Sequence, residues 1–292
     1  MRVSVELPTL GLAAALYASW LLLTAWVPEN VWLWLPLAFV LTWHGSLQHE
    51  TIHGHPTSSA RLNALVGGLP LALWLPYSLY RKIHLAHHGT AGLTVPSRDP
   101  ESFYLDRATW HQSGRIRRAL YRANGTLLGR LIIGPALVLA GTYRGIVETC
   151  AKDVRAIDGP GFLGHLVGVA AVGTWLYLHG VNLGLYLAFA VYPSISLTLL
   201  RSYAEHRPDG GLAGRSAIVE SGGLLPLLFL FNNLHAVHHR YPNLPWYRLR
   251  RRFEVEREMI LEENGGYYIR GYRDVFRQFL LRAPRPPVHP SS

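Results

Sequence analysis

The sequence predicts an all-α membrane protein, and its composition and apolar patterning indicate this class. Hydrophobic residues make up 49% of the 292 residues and charged residues only 16%, against about 25% charged residues in an average soluble domain. The apolar residues gather in long runs with little charge, and runs of about 18 or more residues are typical of membrane-spanning helices. We therefore expect residues 1–282 to form a single integral-membrane domain, followed by a flexible Pro-rich tail at residues 283–292.

Four apolar runs predict transmembrane helices arranged as two hairpins. The runs are Leu7 to Val27, Val31 to about Leu47, Phe162 to Leu178 and Leu183 to Leu200. The turns inside the two pairs contain no Lys or Arg, whereas the opposite ends carry nearly all of the Arg residues. The positive-inside rule then places both termini on the cytoplasmic side. Arg outnumbers Lys by 26 to 2, which favours a bacterial source and hence the inner membrane.

Most of the histidines fall in three short windows. Ten of the fifteen are His44, His49, His53 and His55, then His84, His87 and His88, and finally His235, His238 and His239. Residues three and four positions apart share one face of a helix, so each window presents two or three imidazoles together. Neutral imidazole is a common metal ligand. Without His44 and His55, the windows contain eight such histidines, which are too many for one ion, so we expect two metal ions in one site. His206, just past the last span, is a ninth candidate ligand.

A shared site for the three windows restricts how the chain crosses the membrane. The apolar run from Leu62 to Tyr80 lies between the first two windows, so it must enter and leave on the same side. We expect this run to be a re-entrant or interfacial hairpin, and the three windows to lie on a cytosolic helical cap.

The rest of the composition narrows the ligand chemistry. A single cysteine, Cys150, cannot form an intramolecular disulfide or a Cys-ligated iron–sulfur cluster. Nitrogen and oxygen must therefore hold any metal. The net charge of +10 comes mainly from Arg residues between the apolar runs and in the tail, which favours an anionic membrane surface as their partner over nucleic acid.

Three histidine boxes carry a family resemblance. The segments His49-Glu50-Thr51-Ile52-His53, His84-Leu85-Ala86-His87-His88 and His235-Ala236-Val237-His238-His239 resemble the HxxxH, HxxHH and HxxHH boxes of the membrane-bound fatty acid desaturase and hydroxylase superfamily. The resemblance extends from the first span to about Trp246. Asp99-Pro100 and the segment Pro242 to Trp246 are similar to the bacterial branch that includes carotenoid ketolases and small desaturase-like proteins.

The resemblance implies a non-haem diiron centre at the cytosolic face, which uses O₂ to attack an unactivated C–H bond. The implied iron ligands are His49, His53, His84, His87, His88, His206, His235, His238 and His239. No separate side-chain acid or base is expected. Asn232 or Asn233 resembles a polar position that the family uses near the metals.

Four carboxylates lie next to the boxes, namely Glu50, Asp99, Glu101 and Glu205. Such groups often orient metal-bound imidazoles through the second ring nitrogen. Surface carboxylates would give the same pattern, so both interpretations stay open at this point.

The expected reaction is desaturation of a fatty acid or acyl lipid, with hydroxylation or ketolation as alternatives. The sequence contains no dinucleotide-binding glycine fingerprint, haem motif or cysteine set that would store electrons. An external donor is therefore required, such as a ferredoxin, a rubredoxin, a cytochrome or a reductase.

Two other classes of protein share part of this pattern. His49-Glu50-x-x-His53 is also the HExxH pattern of zinc metalloproteases, in which Glu50 would activate a zinc-bound water. A protease needs only one further ligand and leaves the other two boxes unexplained. The second alternative is a non-catalytic membrane metal-binding protein, which predicts histidines or carboxylates within the spans instead of at their ends.

Overall fold

The computed structural model describes residues 5–209 and 213–291 and is mostly helical. Its α-helices are Leu7–Trp26 (α1), Trp34–Ile52 (α2), Ala60–Gly67 (α3), Tyr77–Gly89 (α4), Arg107–Gln112 (α5), Arg115–Asn124 (α6), Leu127–Ile132 (α7), Gly134–Asp153 (α8), Gly159–Leu178 (α9), Leu183–Tyr186 (α10), Tyr192–Glu205 (α11), Leu224–Leu228 (α12), His235–Arg240 (α13), Trp246–Glu263 (α14) and Tyr272–Phe279 (α15). A π-helical segment, Leu187–Val191, joins α10 to α11. Two short strands, Ile218–Val219 (β1) and Tyr268–Ile269 (β2), pair in parallel.

The chain forms two compact units, each built from two separate stretches. The first unit contains the chain up to Lys82 together with Ala136–Leu197, and the second contains Ile83–Pro135 together with the chain from Thr198 onward.

Within the described residues, three helices are long and apolar enough to cross a membrane, namely Leu7–Trp26, Gly159–Leu178 and the continuous helix Leu183–Glu205. The mostly helical structure and these candidate membrane spans agree with the predicted class. The predicted second span corresponds to α2, which does not meet the same criterion of length and apolarity. Its last two turns carry polar residues such as Gln48, His49 and Glu50, and these lower its mean hydropathy. The arrangement of four spans in two hairpins stays a prediction.

Polar side chains join the helices within the first unit. The indole Nε1 of Trp20 donates to the hydroxyl of Tyr186 at 3.0 Å, and that hydroxyl donates to the carbonyl of Leu71 at 2.7 Å. The indole Nε1 of Trp175 donates to Thr24 Oγ1 at 2.9 Å. Because buried polar groups are costly without partners, these contacts specify how α1, α9 and α10 pack in an otherwise apolar unit.

The apolar run from Leu62 to Tyr80 is interrupted, as its glycines and prolines predict. Helix α3 ends at Gly67 and α4 begins only at Tyr77, directly after Pro76. A Cβ atom at position 67 would lie 2.3 Å from Thr51 Oγ1, so only glycine allows α3 this close to α2. The side-chain amide of Gln48 donates to the carbonyl of Gly67 at 3.0 Å and fixes the same contact.

An apolar cluster supports the third histidine box in the second unit. Val237, on the buried face of α13, packs with Leu249, Phe253 and Ile260 of α14 and with Ile218 of β1. Burial of these side chains stabilises the unit through the hydrophobic effect. It also holds α13, a helix of only six residues, in one orientation.

The Pro-rich tail has hydrogen-bond partners elsewhere in the second unit, and its flexibility stays a prediction. The amide of Leu105 donates to the carbonyl of Pro287 at 2.8 Å, and the amide of His289 donates to the carbonyl of Leu105 at 2.9 Å. The side chain of His289 is fully buried. Because prolines restrict the unfolded chain, ordering such a segment loses less conformational entropy than ordering an average one.

Candidate metal centre

The first histidine box lies in the first unit, at the end of α2. His49 and His53 are buried and one helical turn apart, with ring centroids separated by 4.8 Å. Glu50 is buried beside them. His44 and His55 have other partners: His44 meets the ring of Tyr17 edge-on at 6.0 Å, and Nδ1 of His55 lies 2.8 Å from the carboxylate of Glu6.

The second unit brings together all seven of the other candidate histidines. They come from the end of α4, from the residue after α11 and from α13. One group consists of His87, His206, His235 and His239, whose ligand nitrogens all lie within 4.8 Å of one another. The ligand nitrogens of His84, His88 and His238 lie equally close together. The helical spacing of the boxes therefore brings imidazoles together in the structure.

The spacing of the Nε2 atoms matches that of ligands on a metal ion. In the four-histidine group, Nε2 of His206 lies 3.2 Å from that of His87 and 3.0 Å from that of His235. Nε2 of His239 is also 3.0 Å from Nε2 of His235. In the other group, His88 and His238 approach through Nε2 at 3.0 Å. Two nitrogens that bind one ion at about 2.1 Å and at a right angle lie about 3.0 Å apart.

Carboxylates determine which ring nitrogen carries the proton. Nδ1 of His87 lies 2.8 Å from Asp99 Oδ1, and Nδ1 of His84 lies 2.9 Å from Glu101 Oε1. An ionised carboxylate only accepts hydrogen bonds, so both Nδ1 atoms carry the hydrogen and donate it. In the neutral ring, Nε2 then presents a lone pair. Nε2 lone pairs that face one another at about 3 Å repel unless a cation lies between them, so the donor set fits a metal.

Two more of the ligand candidates are held at Nδ1. Nδ1 of His235 lies 3.2 Å from Asn232 Oδ1 and 3.3 Å from Glu205 Oε1. Glu205 also pairs with Arg201 at 2.6 Å, one turn earlier on α11. Nδ1 of His206 lies 3.4 Å from Ser216 Oγ. Ser216 was not predicted, since a lone serine outside any motif gives no signal in the sequence.

Asn233 has a different role from its neighbour Asn232. Its side-chain amide donates to the carbonyl of Val219 at 2.7 Å and so supports β1. Among the predicted supporting residues of this unit, Asp99, Glu205 and Asn232 therefore contact a candidate ligand directly, as does Glu101.

Burial keeps most of these imidazoles neutral. It lowers the pKa of His88 and of His206 to about 3, and it lowers the pKa of His235 and His239 well below the ordinary value. Burial also opposes protonation of His87, but the hydrogen bond to Asp99 and the charge of Glu101 outweigh it and raise the pKa of His87. Because only an unprotonated nitrogen binds a metal, metal binding at His87 competes with a proton.

The fold and the histidine set describe a membrane protein with a histidine-rich centre in its second unit. The family model for fatty acid desaturases matches residues 10–272. The chain therefore belongs to the fatty acid desaturase family and is an oxidoreductase of the desaturase and hydroxylase type.

Two similar proteins are beta-carotene ketolases. The one from Paracoccus sp. (strain PC1) is 25% identical over 262 residues, which cover 83% of this chain and 90% of the relative. The one from Paracoccus sp. (strain N81106 / MBIC 01143) is 27% identical over 224 residues, which cover 74% of each chain.

Proposed function

We propose that the protein is an O₂-dependent oxidoreductase with two iron ions, acting on unactivated C–H bonds of a lipid-like substrate. One observation carries the proposal: the Nε2 atoms of buried and half-buried histidines face one another at 3.0–3.2 Å. Membership of the fatty acid desaturase family supports iron as the metal. The proposed ligands are the seven histidines of the second unit together with His49 and His53, which we include on the strength of the HxxxH box.

The protein's own residues would hold and orient the metals. When bound, iron supplies the redox chemistry that activates O₂ for C–H oxidation, which no side chain can supply. Asp99 and Glu101 hold the Nδ1 protons of His87 and His84, and these contacts would fix each Nε2 as a metal ligand and raise its basicity. Desaturation removes two hydrogens from the substrate and reduces O₂ to two waters, so two electrons and two protons must come from outside. The chain has no motif that stores electrons, so the proposal includes an external electron-transfer protein.

Desaturation of an acyl lipid is the first candidate reaction, because it is the activity for which the family is named. Ketolation of a carotenoid-like hydrocarbon is the second, because both Paracoccus relatives are named for it. Both substrates are apolar and reside in a membrane, which suits a chain with three long apolar helices. The location that we propose is the inner membrane of a bacterium, with the termini and the metal site on the cytoplasmic side.

Metal analysis of the purified protein separates this proposal from the alternatives. We expect two irons per chain and an absorption or Mössbauer spectrum of a coupled diiron centre. One redox-silent zinc ion per chain would contradict the proposal and favour the HExxH protease instead. Protein that binds metal but gives no substrate oxidation with any electron donor would favour a non-catalytic metal-binding role.

Mass spectrometry of lipids and carotenoids from cells with and without the gene identifies the reaction. Desaturation appears as the loss of a hydrogen pair, hydroxylation as the gain of one oxygen atom, and ketolation as the gain of oxygen with the loss of a hydrogen pair. Cells with the His87→Ala variant should form no product, although the protein still inserts into the membrane. Product formation by His87→Ala would count against the metal centre.

A further inference from the structure

We propose that the C-terminal tail is a strap that positions the candidate metal ligand His87, and that His289 is the residue through which it acts. The inference rests on the metal centre proposed above. It assigns a role to the last residues of the chain, which lie outside the three histidine boxes and outside the segment matched by the family.

The hydrogen bonds around His289 determine its tautomer. The backbone amide of Ser291 donates to His289 Nδ1 at 3.1 Å, so Nδ1 accepts and carries no hydrogen. The hydrogen of the neutral ring is therefore on Nε2, which donates to Thr94 Oγ1 at 3.1 Å. The side chain of His289 is 0% exposed and meets the ring of Tyr104 edge-on at 5.5 Å. This histidine is thus a directed and fully enclosed donor.

Thr94 has an unusual backbone conformation that requires support. Its φ angle is 69°, in the left-handed region that β-branched residues seldom adopt. Strained backbones of this kind persist only where the surrounding structure fixes them. Three hydrogen bonds fix Thr94: the one from His289, one from Ser102 Oγ to its carbonyl at 2.5 Å, and one from its own amide to Asp99 Oδ2 at 2.7 Å.

Asp99 continues the path from the tail to the metal ligand. Its Oδ2 accepts from Thr94, and its Oδ1 accepts from His87 Nδ1 at 2.8 Å. The side chains of Asp99 and His87 are 1% and 2% exposed, so bulk water does not compete for this contact. The path from His289 to His87 therefore consists of three hydrogen bonds of 2.7–3.1 Å between buried residues, and the covalent structure of Thr94 joins the first to the second. It ends at the ring whose Nε2 lies 3.2 Å from that of His206.

The tail also forms one wall of a cavity beside the same ligands. The cavity has a volume of about 90 Å³, and its lining includes His87 and His206 together with Pro284, Pro286 and Pro287. Removal of the tail would therefore do two things: it would free Thr94 from its donor, and it would open the two ligands to water. Both effects weaken metal retention by the second unit.

The test measures how fast iron or cobalt is lost to a chelator from purified full-length protein. We expect His289→Ala to lose metal about 10-fold faster than the unaltered protein, the lower end of the effect seen when a supporting hydrogen bond to a metal ligand is removed. His289→Gln should restore much of the retention, because its amide nitrogen can donate to Thr94. The matched control is His111→Ala, since His111 is an exposed histidine of the same unit. It should behave as the unaltered protein does.

A double variant tests whether His289 acts through Thr94. Thr94→Val removes the accepting hydroxyl and should accelerate metal loss on its own. Adding His289→Ala to it should then have little further effect, because residues in one path are not additive. The absorption spectrum of the cobalt-substituted protein gives a second readout, which should shift with His289→Ala and not with His111→Ala.

Two outcomes would overturn the inference. One is metal loss from folded His289→Ala at the unaltered rate, and the other is full additivity with Thr94→Val. If circular dichroism shows that His289→Ala does not fold, the rate of metal loss is measured instead for Thr94→Val and for a deletion of residues 284–292. Metal loss from both at the unaltered rate would overturn the inference. Unaltered protein that binds no metal at all would instead refute the proposed function, which keeps the two failures distinct.

Discussion

Replacing Asp99 with Asn tests whether the carboxylate behind His87 supports metal binding. The side chain of Asp99 accepts three hydrogen bonds: Oδ1 accepts from His87 Nδ1 at 2.8 Å and from the amide of Glu101 at 2.9 Å, and Oδ2 accepts from the amide of Thr94 at 2.7 Å. Asn has nearly the same shape but only one accepting oxygen. In either orientation, its NH₂ group faces an N–H group that the carboxylate satisfied.

The expected loss follows from that mismatch. A buried donor without a partner costs about 1–3 kcal/mol, and Asp99 is only 3% exposed, so water does not relieve the cost. The Asn side chain also removes the negative charge that favours the Nδ1–H tautomer of His87. Supporting residues of metal ligands typically contribute 10–100-fold in affinity. We therefore expect Asp99→Asn to weaken metal binding by about 10–100-fold, or about 1.4–2.8 kcal/mol.

Competition against a chromophoric chelator measures this affinity for iron(II) or cobalt(II). The matched control is Asp106→Asn, because Asp106 caps α5 in the same unit by accepting from the amide of Thr109 at 2.7 Å, and Asn caps helices about as well as Asp. Equal metal affinity in Asp99→Asn and Asp106→Asn would refute the role that we assign to Asp99. A loss of helicity in Asp99→Asn alone would assign it to folding instead.

Three further predictions concern metal binding and the stability of the fold. Glu101→Gln should weaken metal binding less than Asp99→Asn in the chelator assay, because the side chain of Glu101 is 29% exposed and water can replace its contact; an equal or larger effect would contradict this order. Gly129→Ala should lower the free energy of unfolding by about 3 kcal/mol, since a Cβ there would lie 1.8 Å from the carbonyl oxygen of Ala123. The control is Gly141→Ala, because a Cβ at position 141 has no atom within 4 Å. Equal denaturation midpoints of the two variants would refute the predicted clash. Removal of the metal should lower the free energy of unfolding, by about 2.7 kcal/mol relative to protein with free metal at 100 times its dissociation constant. A melting temperature that does not depend on metal concentration would argue against a metal-stabilised fold.

The spacing of the histidines predicted much of the candidate site. Residues three and four apart share a helix face whatever the surrounding fold, so the HxxHH boxes had to present their imidazoles together. The sequence could not indicate which ring nitrogens face the metal. That choice depends on Asp99 and Glu101, which stand 12 and 17 residues after the ligands they hold. In the sequence alone, both are equally consistent with exposed carboxylates.

The class of protein and its histidine boxes were determined by the sequence alone, because apolar run length and helical periodicity are local properties. The three-dimensional structure decided where the C-terminal tail packs. His289, in the Pro-rich tail, is enclosed and reaches Thr94, a residue 195 positions earlier in the chain. Contacts between residues so distant in sequence have no local pattern, since they depend on the packing of every element between them. For this reason the tertiary structure was needed to connect the end of the chain to the candidate metal ligand His87.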